Sequence, residues 1–154
     1  MVGLGSIGGV AAGCLAATGR YAVIGCARQP LSQLTLEEPQ RTIELPLVAL
    51  TSPSQIKSPT DWVLVCTKTH QTASTAPWLK ALCAPRTRVA VLQNGIDHVA
   101  RVAPLAQCAA IVPAIVYYNG ERLAPDRVRL RQGADQDIAV PDDENGRDFA
   151  RLFD

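Results

Sequence analysis

The chain has 154 residues, 47% hydrophobic and 19% charged, with a formal net charge of +1. That is enough for one ordinary domain burying roughly two-thirds of its unfolded surface; it offers neither the basic stripe of a nucleic-acid binder nor an acidic tail. Five cysteines (Cys14, Cys26, Cys66, Cys83, Cys108) are odd in number and widely spaced, which excludes C-x-x-C zinc or redox spacing and reads as buried thiols in a reducing, cytoplasmic setting.

In chain order, residues 6–18 are small and apolar with Gly19 behind them, which predicts a helix packed closely on a sheet and ended by a glycine. "YAVIGCAR" follows as a buried strand. Residues 29–40, polar and proline-containing, read as a loop, and "TIELPLVAL" reads as a strand that Pro46 moves to an edge. "TSPSQIKSPTD" is a loop or short helix, and "WVLVCTK", continuously apolar, is a strand buried on both faces. "HQTASTAPWLKALCAP" predicts a helix containing Pro77, "RVAVLQNG" the next buried strand, residues 97–105 a short helix, and "CAAIVPAIVYY" another strand. "RVRLRQ" and "DIAVP" suggest the two arms of a hairpin. A last helix lies between Asp142 and Asp154, with Phe149, Leu152 and Phe153 at helical spacing.

The apolar opening lacks the basic n-region of a signal peptide, and no apolar run reaches the length of about eighteen residues that a membrane span needs. No membrane partner is therefore expected. Strands alternating with helices predict an α/β, Rossmann-like, doubly wound and mostly parallel sheet with helices on both faces. Of the strand that should deliver the first turn only Met1 and Val2 are present, so its cradle is expected to keep its shape but to be poorly supported.

That first turn is "GLGSIGG". Gly3, Gly5 and Gly8 satisfy G-x-G-x-x-G: the first allows a tight turn, the second lets a pyrophosphate approach the backbone, and the third brings helix and strand together. The helix then aims its free N–H groups and positive dipole end at the phosphate. Taken alone, the pattern also fits a glycine-rich helix packed for its own sake. Arg28, ending the second strand, adds to it. A carboxylate at that point would accept from the ribose 2′-hydroxyl of NAD, whereas an arginine pairs with the 2′-phosphate of NADP. A solvated loop arginine is the bland alternative. Lys68 and Asn94 end two later strands on the ligand edge of such a sheet; Lys68 offers a point charge, while Asn94-Gly95 reads equally as a tight turn. His70 and His98 lack an evident partner and read as exposed or capping residues, Cys66 as core, and Trp62 and Trp78 as packing.

In this order, "GLGSIGG", Arg28, "CTKTHQ", "VLQNGID" and "VYYNGERLAPDRV" resemble the N-terminal domain of the ketopantoate reductases, or 2-dehydropantoate 2-reductases. The most specific elements are Lys68-Thr69-His70-Gln71, where His70 stands in place of the usual aromatic, and Gln93-Asn94-Gly95. The resemblance implies that Gly3, Leu4, Gly5, Ser6, Ile7 and Gly8 hold the pyrophosphate of NADP and that Arg28 holds its 2′-phosphate. It places Lys68 near the nicotinamide half, Asn94 against both cofactor and substrate, and Tyr118 close to the nicotinamide. The implied reaction is reduction of the C2 ketone of 2-dehydropantoate by NADPH, yielding pantoate on the route to pantothenate and coenzyme A. The implied partners are a small 2-keto acid and, in the full-length form, a second copy in a homodimer, with no metal and no nucleic acid.

In the family the proton donor is a lysine on a second, helical domain. The whole chain, 1–154, is thus expected to be a cofactor-binding fragment without that domain, holding no catalytic residue of its own and giving no turnover alone. Two alternatives stand beside this reading: a nucleotide-binding module that catalyses nothing, and a reductase of a different 2-keto acid or opine.

Overall fold

The computed structural model describes residues 1–108, 110–131 and 137–154. Helix α1 (Ser6–Ala17) leads from the glycine turn and ends at Thr18, with Gly19 at φ +67°. Its buried side carries Gly8, Gly9, Val10, Ala11, Ala12 and Gly13, so it lies close on the sheet beneath. Strand β1 (Ile24–Cys26) follows, then β2 (Leu31–Glu37) and β3 (Thr42–Leu50).

Strand β2 replaces the loop expected over residues 29–40. Its polar residues mask a period of two in which Leu34 and Leu36 are buried beneath α1, and burial decided the conformation that composition alone did not. Strand β3 is likewise interior rather than an edge, paired with β1 in parallel and with β2 antiparallel. The β1 pairing reaches only Val48, Ala49 and Leu50. Pro46 therefore has a neighbour on the β2 side alone, beside the register shift at Leu31 and Gln33, where a missing N–H is tolerated.

A short 3₁₀ turn, Pro53–Gln55, closed by a Ser52 capping box, leads to β4 (Trp62–Val65). The helix expected next divides in two, a 3₁₀ segment Thr69–Thr75 and then α2 (Ala76–Leu82), because Pro77 fits the first turn of a helix and not its interior. Strand β5 (Arg88–Val91), helix α3 (His98–Val102) and β6 (Ala110–Pro113) complete a parallel unit in the order β4-β5-β6. Within it Val63, Val65, Val89 and Val91 face α2 and α3, while Leu64, Ala90, Leu92 and Val112 face α1 and the last helix, α4 (Glu144–Ala150). The strands are thus buried on both faces, as a continuous apolar run requires.

The strand predicted over "CAAIVPAIVYY" breaks at Ala114, and its second part, β7 (Ile115–Val116), pairs with β10 (Ile138–Ala139). The hairpin expected from "RVRLRQ" and "DIAVP" is not formed. Strand β9 (Arg127–Arg131) turns back instead on β8 (Asn119–Ala124) through Pro125 and Asp126, a tight proline turn. Gln132 of the first expected arm, and residues 133–136 between the two arms, lie outside the described residues. The five-stranded sheet runs β1-β3-β2-β9-β8, with Val2 bridged in parallel to both Cys26 and Val65.

That bridge joins the two sheets, and it changes the expectation of a poorly supported cradle. Val2 N–H donates to Leu64 O and Cys66 N–H to Val2 O, both at 2.8 Å, while Gly3 N–H donates to Cys26 O at 3.1 Å. Val2 is only 2% exposed, so these few residues supply ladder bonds and core contact together. Among the described residues no helix is long and apolar enough to cross a membrane, and no three His, Cys, Asp or Glu side chains gather as a metal site.

Candidate dinucleotide site

The ends of β1, β4 and β5, the glycine turn and the tip of the β8–β9 hairpin enclose a cleft of about 1020 Å³. The turn supplies Gly3, Leu4, Gly5, Ser6 and Ile7 to its wall. Gly3 holds φ +96°, a conformation an L side chain rarely adopts. Gly5 caps α1 without a side-chain hydrogen bond, and a Cβ added there meets nothing within 4 Å. Gly8 lies outside the lining and packs: an added Cβ would come 1.9 Å from the Gly3 carbonyl oxygen. Open space at the second glycine, a closed one at the third and an uncapped first turn with no acidic residue fit the backbone approach of an anionic group.

Arg28, two residues beyond β1, Lys68, beyond β4, and Asn94, beyond β5, all reach this cleft and are all exposed. Among the described residues neither Arg28 nor Lys68 has a carboxylate within ion-pair reach. Among the described residues the lining contains Arg28, Lys68 and Arg122 and no Asp or Glu. Three cations with no counter-charge among those residues make this lining electropositive.

Tyr118 lies behind the cradle. It is 5% exposed and donates its hydroxyl to the Ile7 carbonyl at 2.8 Å; burial raises its pKa, keeping the phenol neutral. Its place is one of support for the first turn of α1. His70 is exposed as expected, but His98 is 3% exposed, with Nε2 2.7 Å from the Gln93 carbonyl. That corrects the expectation of an exposed or capping His98, because the helix it opens folds back over the end of β5.

Gln93, so far only the first residue of the Gln93-Asn94-Gly95 element, has a role that spacing alone does not give it. Buried at 7% exposure, its amide nitrogen donates to Thr67 O at 2.9 Å and to Thr67 Oγ1 at 3.0 Å, and its oxygen accepts from Thr72 Oγ1 at 3.1 Å. Thr69 Oγ1 donates to the Asn94 carbonyl at 3.0 Å. These bonds lock the loop bearing Lys68 to the loop bearing Asn94. A glutamine directly after a buried strand is the sequence signal that points to such a network, since a polar group there needs partners.

The cysteines stand apart from this chemistry. Burial pushes Cys66 up to about 12 and Cys14 and Cys83 up to about 11, and raises Cys26 and Cys108 as well. All five are free and none is activated as a nucleophile.

A parallel β-α-β arrangement with a glycine turn at a helix N-terminus and ligand groups at the carboxyl ends of the strands defines a Rossmann-like dinucleotide-binding fold. The sequence profile of the ketopantoate reductase PanE/ApbA family matches residues 1–144. The chain belongs to that family of pyridine-nucleotide-dependent oxidoreductases. It is 40% identical over 153 residues to the 2-dehydropantoate 2-reductase of Caulobacter vibrioides, covering 99% of this chain and 52% of that protein. The 2-dehydropantoate 2-reductase of Mycobacterium tuberculosis is 35% identical over 154 residues, covering 99% of this chain and 51% of its own length. The crystal structure of a PanE/ApbA family ketopantoate reductase from Ralstonia eutropha superposes with a TM-score of 0.83 at 26% identity, covering 99% of this chain and 53% of that one. The chain spans about half the length of the curated relatives it matches.

Proposed function

We propose that this chain supplies the cofactor-binding half of an NADPH-dependent reductase that converts 2-dehydropantoate to pantoate. The carrying observation is the cleft lining, which joins an open glycine cradle to Arg28, Lys68 and Arg122 with no carboxylate among the described residues. NADP carries a pyrophosphate and an additional 2′-phosphate, so a lining of cations suits it better than NAD, whose free ribose hydroxyls call for an acidic acceptor.

In this reading the first-turn N–H groups of α1 and the backbone at Gly5 hold the pyrophosphate, with Gly3 and Gly8 setting the turn. Arg28 pairs with the 2′-phosphate. Lys68 and Asn94, joined through Gln93, face the nicotinamide half, and Asn94 also meets the 2-keto acid. When bound, NADPH supplies the hydride delivered to the substrate ketone. The alkoxide formed must gain a proton as hydride arrives. Lys57 and Lys80 stand outside the cleft lining and Lys68 is given to the cofactor, so no lysine of residues 1–154 is assigned as that acid; these residues alone should give no substrate-dependent NADPH oxidation in a steady-state assay.

The binding half is tested by calorimetric titration of NADPH and NADH into the chain. NADPH should bind more tightly, and Arg28→Ala should abolish most of that preference. Equal loss for both cofactors would count against the 2′-phosphate role, and clear turnover with 2-dehydropantoate would overturn the assignment of the acid.

A further inference from the structure

The β8–β9 hairpin lies in the stretch "VYYNGERLAPDRV", of which the resemblance gives a role to Tyr118 alone, yet residues 122–125 form one wall of the cleft. Strand β8 crosses the start of α1, where a Cβ added at Gly120 would lie 2.6 Å from the Ser6 carbonyl oxygen. Arg122 is two residues further and so shares that face. Its cross-strand partner is Val128, whose side chain packs on α1 at Gly9, and partners across an antiparallel pair share a face. Both relations put Arg122 on the α1 side of the sheet, by the first turn.

The charges of the hairpin are divided accordingly. Arg127 and Arg129 clamp Glu37, and Arg131 pairs with Glu121. Arg122 is exposed and, among the described residues, its guanidinium reaches only the Pro125 carbonyl, at 3.4 Å. Of the hairpin's arginines, the one that lines the cleft is thus the one without a carboxylate among the described residues. Leu123 beside it is 38% exposed on the same wall.

We infer that Arg122 is a second phosphate-binding arginine of the dinucleotide site, delivered by the β8–β9 hairpin from the side opposite Lys68. It rests on the dinucleotide reading above and adds a determinant of affinity outside the glycine motif and Arg28. A guanidinium suits the task because its planar fork matches phosphate oxygens two at a time.

The test is titration calorimetry of the whole chain with NADPH, NADH and 2′,5′-ADP, comparing wild type, Arg122→Gln, Arg122→Lys and Arg131→Gln. Arg131→Gln removes the same charge from the same hairpin outside the cleft. Arg122→Gln should weaken NADPH by about tenfold or more, Arg122→Lys by less, and Arg131→Gln should change little, with melting temperatures close to wild type. Loss on NADPH and 2′,5′-ADP but not NADH assigns the contact to the 2′-phosphate; equal loss on NADPH and NADH assigns it to the pyrophosphate. Unchanged binding in folded Arg122→Gln, or an equal loss in Arg131→Gln, overturns the proposal. A wild type that binds none of the three ligands fails the dinucleotide reading itself, and this inference with it.

Discussion

Gly8→Ala and Gly5→Ala separate the two duties of the glycine turn. At Gly8 the new methyl would come 1.9 Å from the Gly3 carbonyl oxygen and 2.8 Å from Cys66 Cβ. Neither is the free end of a flexible side chain. Gly3 is already at φ +96°, with its amide bonded to Cys26 O, so relief requires moving α1 off the sheet or reshaping the cradle. Overpacking costs about 1–3 kcal/mol, and backbone on the receiving side argues for about 3. For a domain of this length that lowers Tm by about 6–12 °C. Gly5→Ala meets nothing within 4 Å, and its cost is the poorer N-cap, about 1 kcal/mol or less. Its methyl would instead stand where the pyrophosphate must approach, so dinucleotide binding should fall sharply at nearly unchanged Tm. Thermal melts followed by circular dichroism, with NADPH titrations on the same samples, give both numbers. A Gly8→Ala chain melting like wild type, or a Gly5→Ala chain binding like wild type, refutes this division.

Gln93→Leu should cost about 2 kcal/mol, because Thr67 and Thr72 lose buried partners; hydrogen exchange should also quicken around Thr69 and Asn94, and unchanged exchange would mean the network does not hold those loops. Tyr118→Phe removes the donor to the Ile7 carbonyl and should lower stability by about 1–2 kcal/mol, read from denaturant midpoints. Stability should decline with alkali. The folded thiols, with Cys66 at about 12, hold protons that the unfolded chain sheds near the ordinary thiol value of 9.0. The unfolded state then binds fewer protons, so stability is full below about pH 9 and falls as pH rises toward the folded values. Denaturant midpoints across that range should show a shallower decline in Cys66→Ala, and a decline of equal slope would remove Cys66 from the account.

The parallel half of the fold was legible because its signals are local. Val63 to Val65 and Val89 to Val91 are continuously apolar, and Gly3, Gly5 and Gly8 fix a turn by spacing alone. What was hidden depended on partners far along the chain. Leu34 and Leu36 become strand residues only because α1 covers them, and the β8–β9 hairpin turns at Pro125 and Asp126 inside a stretch whose charged residues conceal its alternation. The site divides the same way. Arg28, Lys68 and Asn94 sit at strand ends, where topology gives a polar residue meaning. Gln93 acquires its meaning from the bonds to Thr67, and Arg122 its place from the crossing of β8 over the start of α1 at Gly120, neither of which a spacing rule encodes.

The central claim is that the cleft at residues 3–7 and Arg28 receives NADPH. Amide shift mapping by NMR during an NADPH titration tests it most directly. Saturable shifts should centre on Gly5, Ser6 and Ile7 and extend to Arg28, Lys68 and Asn94, with NADH producing them only at higher concentration. Shifts gathered on the far face of the sheet, or none under saturating NADPH, would contradict the account.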